Sequence, residues 1–103
     1  MSTDSDIAIE RTTIRRCQHG DREAFRLLFH SHSSRLYRVA ILITRDPQAA
    51  EDAVRECLLA AWKKIRSFAV DSNFRALLNR ILINAIGMIR RKKKIPTAPV
   101  ALA

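Results

Sequence analysis

Basic side chains crowd into one third of this chain. Residues 61–94 carry Lys63, Lys64, Arg66, Arg75, Arg80, Arg90, Arg91, Lys92, Lys93 and Lys94 against Asp71 alone, so this segment holds the whole formal net charge of +9. The remainder balances nine basic against nine acidic residues. Cations so concentrated suit a polyanion, because each one that meets a phosphate releases condensed counterions. A solvated helix face followed by a basic tail is the other reading of the same charges. Upstream, Glu51, Asp52 and Glu56 surround Arg55. If a helix begins near residue 47, Glu51 and Asp52 complement its dipole, but Glu56 lies beyond the first turn and needs another reason. No paired carboxylates stand beside a base or an oxyanion loop, and there is no Gly-rich phosphate loop, so the chemistry expected is binding and not catalysis.

Helices must position these groups. Leu, Ile, Ala and Arg dominate over β-branched and aromatic runs, which predicts an all-α fold, a compact bundle of about four helices. Residues 1–6 are polar and expected to be flexible. A first helix is predicted over residues 7–18, with Ile7, Ile14 and Cys17 inward, stopped by His19-Gly20. Asp21 caps a second, whose stripe is Phe25, Leu28, Phe29, Leu36, Val39 and Ile43. His32 and Ser33 interrupt the stripe, where a bend is expected, and the helix ends near Thr44. Asp46-Pro47 opens the third helix, because Asp caps well and Pro suits the first helical position. Ala50, Ala53, Val54, Cys57, Leu58, Ala61, Ile65 and Phe68 then keep helical spacing to about Arg66. After a loop, Asp71 or Ser72 is the expected cap of a fourth helix with Phe74, Leu77, Leu78, Ile81, Ala85, Met88 and Ile89 inward. The basic run 90–94 is expected to end it, leaving 95–103, with Pro96 and Pro99, as the start of a linker or tail. The helical domain is therefore read as residues 7–94. Trp62 falls on the inward stripe and is expected in the core rather than as a stacking platform, and Tyr37 is expected there with a wet hydroxyl.

Other classes are excluded or weak. Cys17 and Cys57 are far apart with no CxxC, and the polar start MSTDSDIAIE is no signal peptide, so reduced thiols in a cytoplasmic protein are expected. No charge-free stretch reaches membrane-spanning length, so no membrane insertion is expected. His30 and His32, with Cys17 and His19, invite a metal reading, but positions two apart on a helix point to different faces. No metal or other cofactor is implied.

The words GDREAFRLLF, RLYRVAILIT, DPQAAEDAVRE, AAWKKIRSF and NFRALLNRILINA, followed by a basic run, occupy residues 20–94 in order. In this combination the segment resembles region 2 of the extracytoplasmic-function group of bacterial sigma factors. The resemblance implies two partners. One is core RNA polymerase, whose β′ clamp helices, rich in Arg, would receive the third helix through Glu51, Asp52, Arg55 and Glu56. The other is promoter DNA, where the loop 68–73 would pocket a base flipped from the non-template strand of the minus-ten element. Asp71, Ser72 and Asn73 would meet the base edge, or Asp71 and Ser72 would be only a cap. Lys63, Lys64, Arg66, Arg75, Arg80, Arg90, Arg91 and Lys92 would hold phosphates, and Asn84 stands where the family has a recurrent Asn. An anti-sigma factor is a further partner the family implies. The sequence departs from the pattern at Arg55, where Gln is usual, and at Leu77, where Trp is usual. Arg55 puts a cation near cationic partners unless Glu51 or Glu56 pairs with it. The family's second helical module, region 4, has no counterpart in these residues, so they are an isolated domain, a truncated product, or a chain acting without that module. Two alternatives stay open: a basic helical nucleic-acid-binding module that never engages polymerase, and an interaction domain whose working partner is an anti-sigma protein.

Overall fold

The computed structural model describes the backbone from Asp4 to Leu102 and side chains from Asp6 to Lys92. Within these residues there are four α-helices and no strand: α1 (Asp4–Gln18), α2 (Arg22–Thr44), α3 (Pro47–Lys64) and α4 (Phe74–Leu102), with a 3₁₀ turn (Ile65–Ser67) closing α3. None of the helices is long and apolar enough, over the described residues, to cross a membrane.

Local chemistry sets the junctions. Gly20, at φ 94°, adopts the left-handed conformation that ends α1. The Gly20 and Asp21 amides then donate to the Cys17 and Arg16 carbonyls at 2.9 and 3.1 Å, satisfying groups the helix leaves orphaned. Asp21 caps α2 by accepting from the Ala24 amide at 3.0 Å. Asp46 caps α3 through the Gln48 and Ala49 amides, with Pro47 in the first turn, as expected. α2 runs as one continuous helix through His32 and Ser33. The Ser31 and Ser33 hydroxyls turn back onto carbonyls three residues earlier, so the polar residues are satisfied inside the helix.

α3 lies between α2 and α4. Its inward face is nearly all small, with Ala50, Ala53, Cys57 and Ala61 fully buried, which lets both neighbours approach closely. Leu36 and Ala40 of α2 and Leu78 and Leu82 of α4 close the core from either side. Both cysteines are free and buried, and burial pushes each thiol up to about 11. The Cys57 thiol donates to the Leu78 carbonyl at 3.6 Å. α1 crosses α2 and the 3₁₀ turn with Ile14 and Cys17 inward. Gln18 reaches from its last turn to donate to the Ile65 and Phe68 carbonyls at 3.0 and 2.7 Å, pinning the start of the 68–73 loop.

Several expected core positions lie elsewhere. Ile7 is 42% exposed, because α1 buries only its C-terminal half. Met88 is 43% exposed, and Leu82 and Ile86, on the adjoining edge of the stripe, take the inward places near it. Tyr37 is likewise exposed, its neighbour Leu36 holding the core position. Trp62 is half-buried and packs its ring on Phe25, centroids 5.0 Å apart, so its role is packing as expected. The helical backbone of α4 also continues past the basic run to Leu102. Arg and Lys are good helix formers, so the run itself supplies no stop. The side chains of Lys93 and Lys94 and of the expected tail lie outside the described residues.

Candidate nucleic-acid interface

The loop between the 3₁₀ turn and α4 is held at both ends. Phe68 packs edge-on to Phe74 with centroids 5.5 Å apart, and the Ser72 amide donates to the Ala69 carbonyl at 2.8 Å. Asp71, Ser72 and Asn73 are exposed at its tip. The cap of α4 is Asn73, not Asp71 or Ser72: its Oδ1 accepts from the Ala76 amide at 3.0 Å. The helix starts one or two residues later than expected, at Phe74, whose buried ring anchors the first turn. Asn73 thus commits its oxygen to the fold, while its NH₂ group has no partner among the described residues. Asp71 and Ser72 are released from capping.

These three side chains line a groove of about 810 Å³. Its other walls are Ile9 and Glu10 of α1, His32 and Arg35 of α2, and Arg75 in the first turn of α4. A polar chain crosses the groove. His32 Nε2 lies 2.7 Å from Glu10 Oε1 and its Nδ1 lies 2.8 Å from Arg35 Nη1, while Arg35 Nη2 donates to Asn79 Oδ1 at 3.3 Å. A guanidinium only donates, so His32 Nδ1 accepts and the ring hydrogen sits on Nε2, facing Glu10. His32 also packs edge-on to Phe74 at 5.6 Å. His32 therefore links α1 to α2 within a packed wall, and its partners are a carboxylate and a guanidinium.

The basic residues separate into groups. Arg75 lines the groove. Arg80, Asn84 and Arg91 are all exposed, and with Gly87 they fall on one stripe of α4 at helical spacing. The Arg91 guanidinium lies over Gly87, whose missing side chain leaves that part of the stripe low. Residue 91 is about 27 Å along the helix from the loop tip, so these groups present a track rather than a pocket. Arg90 faces away from it and donates to the Ile43 carbonyl at 2.6 Å, at the C-terminal end of α2. Lys63 and Lys64 on the last turn of α3 and Arg66 in the 3₁₀ turn are exposed and do not line the groove.

The acidic face of α3 is a separate surface. Asp52 accepts from Gln48 Nε2 at 3.1 Å and pairs with Arg55 Nη1 at 3.5 Å. Arg55 thus pairs with Asp52, three residues earlier, and not with Glu51 or Glu56, which stay exposed. Asp52, Arg55 and Glu56 meet Met88, Ile89 and Lys92 of α4 around a shallow depression of about 280 Å³. Met88 and Lys92 therefore adjoin the α3 face, a relation sequence spacing had no means to indicate. Arg35 and Gln18 were also missed; the only signal for Arg35 was a cation immediately before the buried Leu36.

Residues 28–95 match the family model for sigma-70 region 2. The chain is 40% identical over 82 residues to the ECF RNA polymerase sigma factor SigM of Mycobacterium tuberculosis, covering 79% of this chain and 42% of that protein. It is 32% identical over 82 residues to the ECF RNA polymerase sigma-E factor of Escherichia coli, covering 78% and 41%, and 30% identical over 81 residues to SigW of Bacillus subtilis, covering 78% and 43%. The chain thus spans less than half the length of these relatives. No solved structure matches it. With two thirds of its residues in the region 2 match and its helices in an all-α arrangement, this chain belongs to the sigma-70 family, in its extracytoplasmic-function group.

Proposed function

We propose that this chain acts in transcription initiation as the part of a sigma factor that docks on core RNA polymerase and captures the minus-ten element of a promoter, without catalysing a reaction, in the bacterial cytoplasm. The relatives' names tie them to RNA polymerase, and the family match supports reading the same role here. The observation that carries the finer reading is the groove beside the loop tip. There, Asp71, Ser72 and the NH₂ group of Asn73 are exposed on the wall beside the buried Phe74. A base drawn out of its stack needs hydrogen bonds on its edge, and these exposed side chains supply donors and acceptors for them. The exposed track Arg80, Asn84 and Arg91 then holds the strand by its phosphates without reading it. Polymerase docking falls to Glu51, Asp52 and Glu56, with Arg55 drawn back by Asp52 so that it does not repel a cationic partner.

The test is a double variant, Asp52→Arg with Glu56→Arg, in a pull-down with core polymerase. Both residues lie off the buried stripe, so the thermal transition should stay near that of the unaltered chain. Binding should fall by about tenfold or more, since two attractive charges become repulsive. Unchanged capture of polymerase would remove the docking assignment.

A further inference from the structure

Arg35 is the one guanidinium lining the groove that is half-buried, and among the described residues no carboxylate lies within ion-pair distance of it. Its Nη1 and Nη2 donate to His32 Nδ1 and Asn79 Oδ1, both neutral acceptors. Its Nε is buried and has no hydrogen-bond partner. Burial pushes the Arg35 guanidinium below its usual range, and Arg75 pushes it in the same direction. Arginine stays protonated even so. Among the described residues neither Arg35 nor Arg75 forms an ion pair within contact distance, while the Glu10 carboxylate, held by His32, acts on Arg35 through its charge and favours the cation. Two guanidiniums from different helices thus approach one groove, which Asp6, Glu10, Asp71 and Arg11 also line, with no carboxylate in direct contact with either, so both keep N–H groups for an incoming anion. The groove, at about 810 Å³, has room for a nucleotide-sized ligand.

We propose that Arg35 and Arg75 clamp one backbone phosphate of the strand whose base enters the loop, with His32 as the positioning residue that aims Arg35. This rests on the reading of the groove as a nucleic-acid site and adds its phosphate contact. Arg75 comes from the first turn of α4 and Arg35 from the middle of α2, so the clamp bridges two elements. Glu10 holds the ring hydrogen on Nε2, which leaves Nδ1 as the acceptor that fixes the guanidinium. The track Arg80–Asn84–Arg91 grips the strand along its length; the clamp sets the register of one nucleotide against the loop tip.

The full 103-residue chain is titrated at low salt against fluorescent single-stranded minus-ten-like oligonucleotides, each with one phosphate replaced by a neutral methylphosphonate. One position beside the captured base should weaken binding by about tenfold, the loss of a charged hydrogen-bonded contact. Arg35→Gln and Arg75→Gln should each weaken binding to the unmodified strand and make that position insensitive. Arg75 is exposed, so Arg75→Gln keeps the fold and decides the matter even if Arg35→Gln does not fold. If every phosphate position behaves alike, or the sensitive one stays sensitive in Arg75→Gln, the clamp is wrong; base preference surviving in that case leaves the loop reading intact. Binding to no oligonucleotide at all overturns the groove's assignment and the clamp together.

Discussion

The acidic face of α3 and the groove beside the 68–73 loop are both exposed and charged, yet they are built in opposite ways. The acidic groups of the α3 face and their partners belong to one helix, though α4 borders them. Gln48, Asp52 and Arg55 sit within two turns and satisfy one another at 3.1 and 3.5 Å, so the pattern survives wherever the helix does. The groove takes its walls from α1, α2, the loop and α4, and leaves Arg35 Nε buried without a hydrogen-bond partner. A surface built on one helix is cheap to form and offers a partner charge at helical spacing. A surface built from four elements exists only when the core has closed, and in return can surround a ligand.

The most damaging way to break that contrast is to open the core beneath both surfaces. Leu78 is fully buried, and its carbonyl takes the Cys57 thiol, joining α4 to α3. Leu78→Ala should cost about 2–5 kcal/mol, a large share of the stability such a domain has. Urea denaturation measures the loss. Where the variant is partly unfolded, DNA binding should fall further than polymerase capture, because α3 can re-form its own face on the partner. Equal losses would mean that both surfaces depend on the core alike.

A change at the loop tip separates fold from recognition. Asn73→Ala removes the cap on α4 and should cost about 1 kcal/mol. It should also abolish preference among bases at one promoter position. Asn73→Asp keeps an acceptor for the Ala76 amide and should restore the thermal midpoint, but it presents no NH₂ donor, so base preference should stay lost. If the Asp variant reads bases as Asn does, Asn73 is a cap and nothing more, and the base edge must be met by Asp71 or Ser72.

The contrast also governs what was legible in the sequence. The helices, the Asp21 and Asp46 caps, the Gly20 stop and the α3 stripe follow from spacing and local hydrogen bonding, and the structure has them. Glu51, Asp52 and Glu56 on the outer face of α3 follow for the same reason. What spacing missed is tertiary. Ile7 and Met88 have the right period but fall where no neighbouring helix covers them. Asn73 displaced Asp71 and Ser72 as the cap because the buried Phe74 decided where α4 begins. Gln18 and Arg35 act across 47 and 44 residues of sequence, on Ile65 and Asn79, distances at which no local pattern speaks.

Arg90 and Arg91 give the smallest effect and the sharpest division, since they are neighbours in one basic run. Arg90 donates to the Ile43 carbonyl at the end of α2, where unpaired carbonyls and the negative end of the helix dipole favour a cation. Its charge is therefore partly spent inside the protein. Arg91 lies over Gly87 on the exposed track with Arg80 and Asn84. Arg91→Ala should leave the melting temperature alone and flatten the dependence of log K on log salt by about 0.7, the share of one phosphate on a single strand. Arg90→Ala should do the reverse, lowering stability by about 0.3–1 kcal/mol while the slope holds. Anisotropy across a salt series, paired with thermal melts, reads both quantities in the same two variants. If both variants flatten the slope equally, Arg90 leaves Ile43 when the strand binds. The run would then act as a diffuse cloud of charge, and the ordered track along α4 would shorten to Arg80 and Asn84.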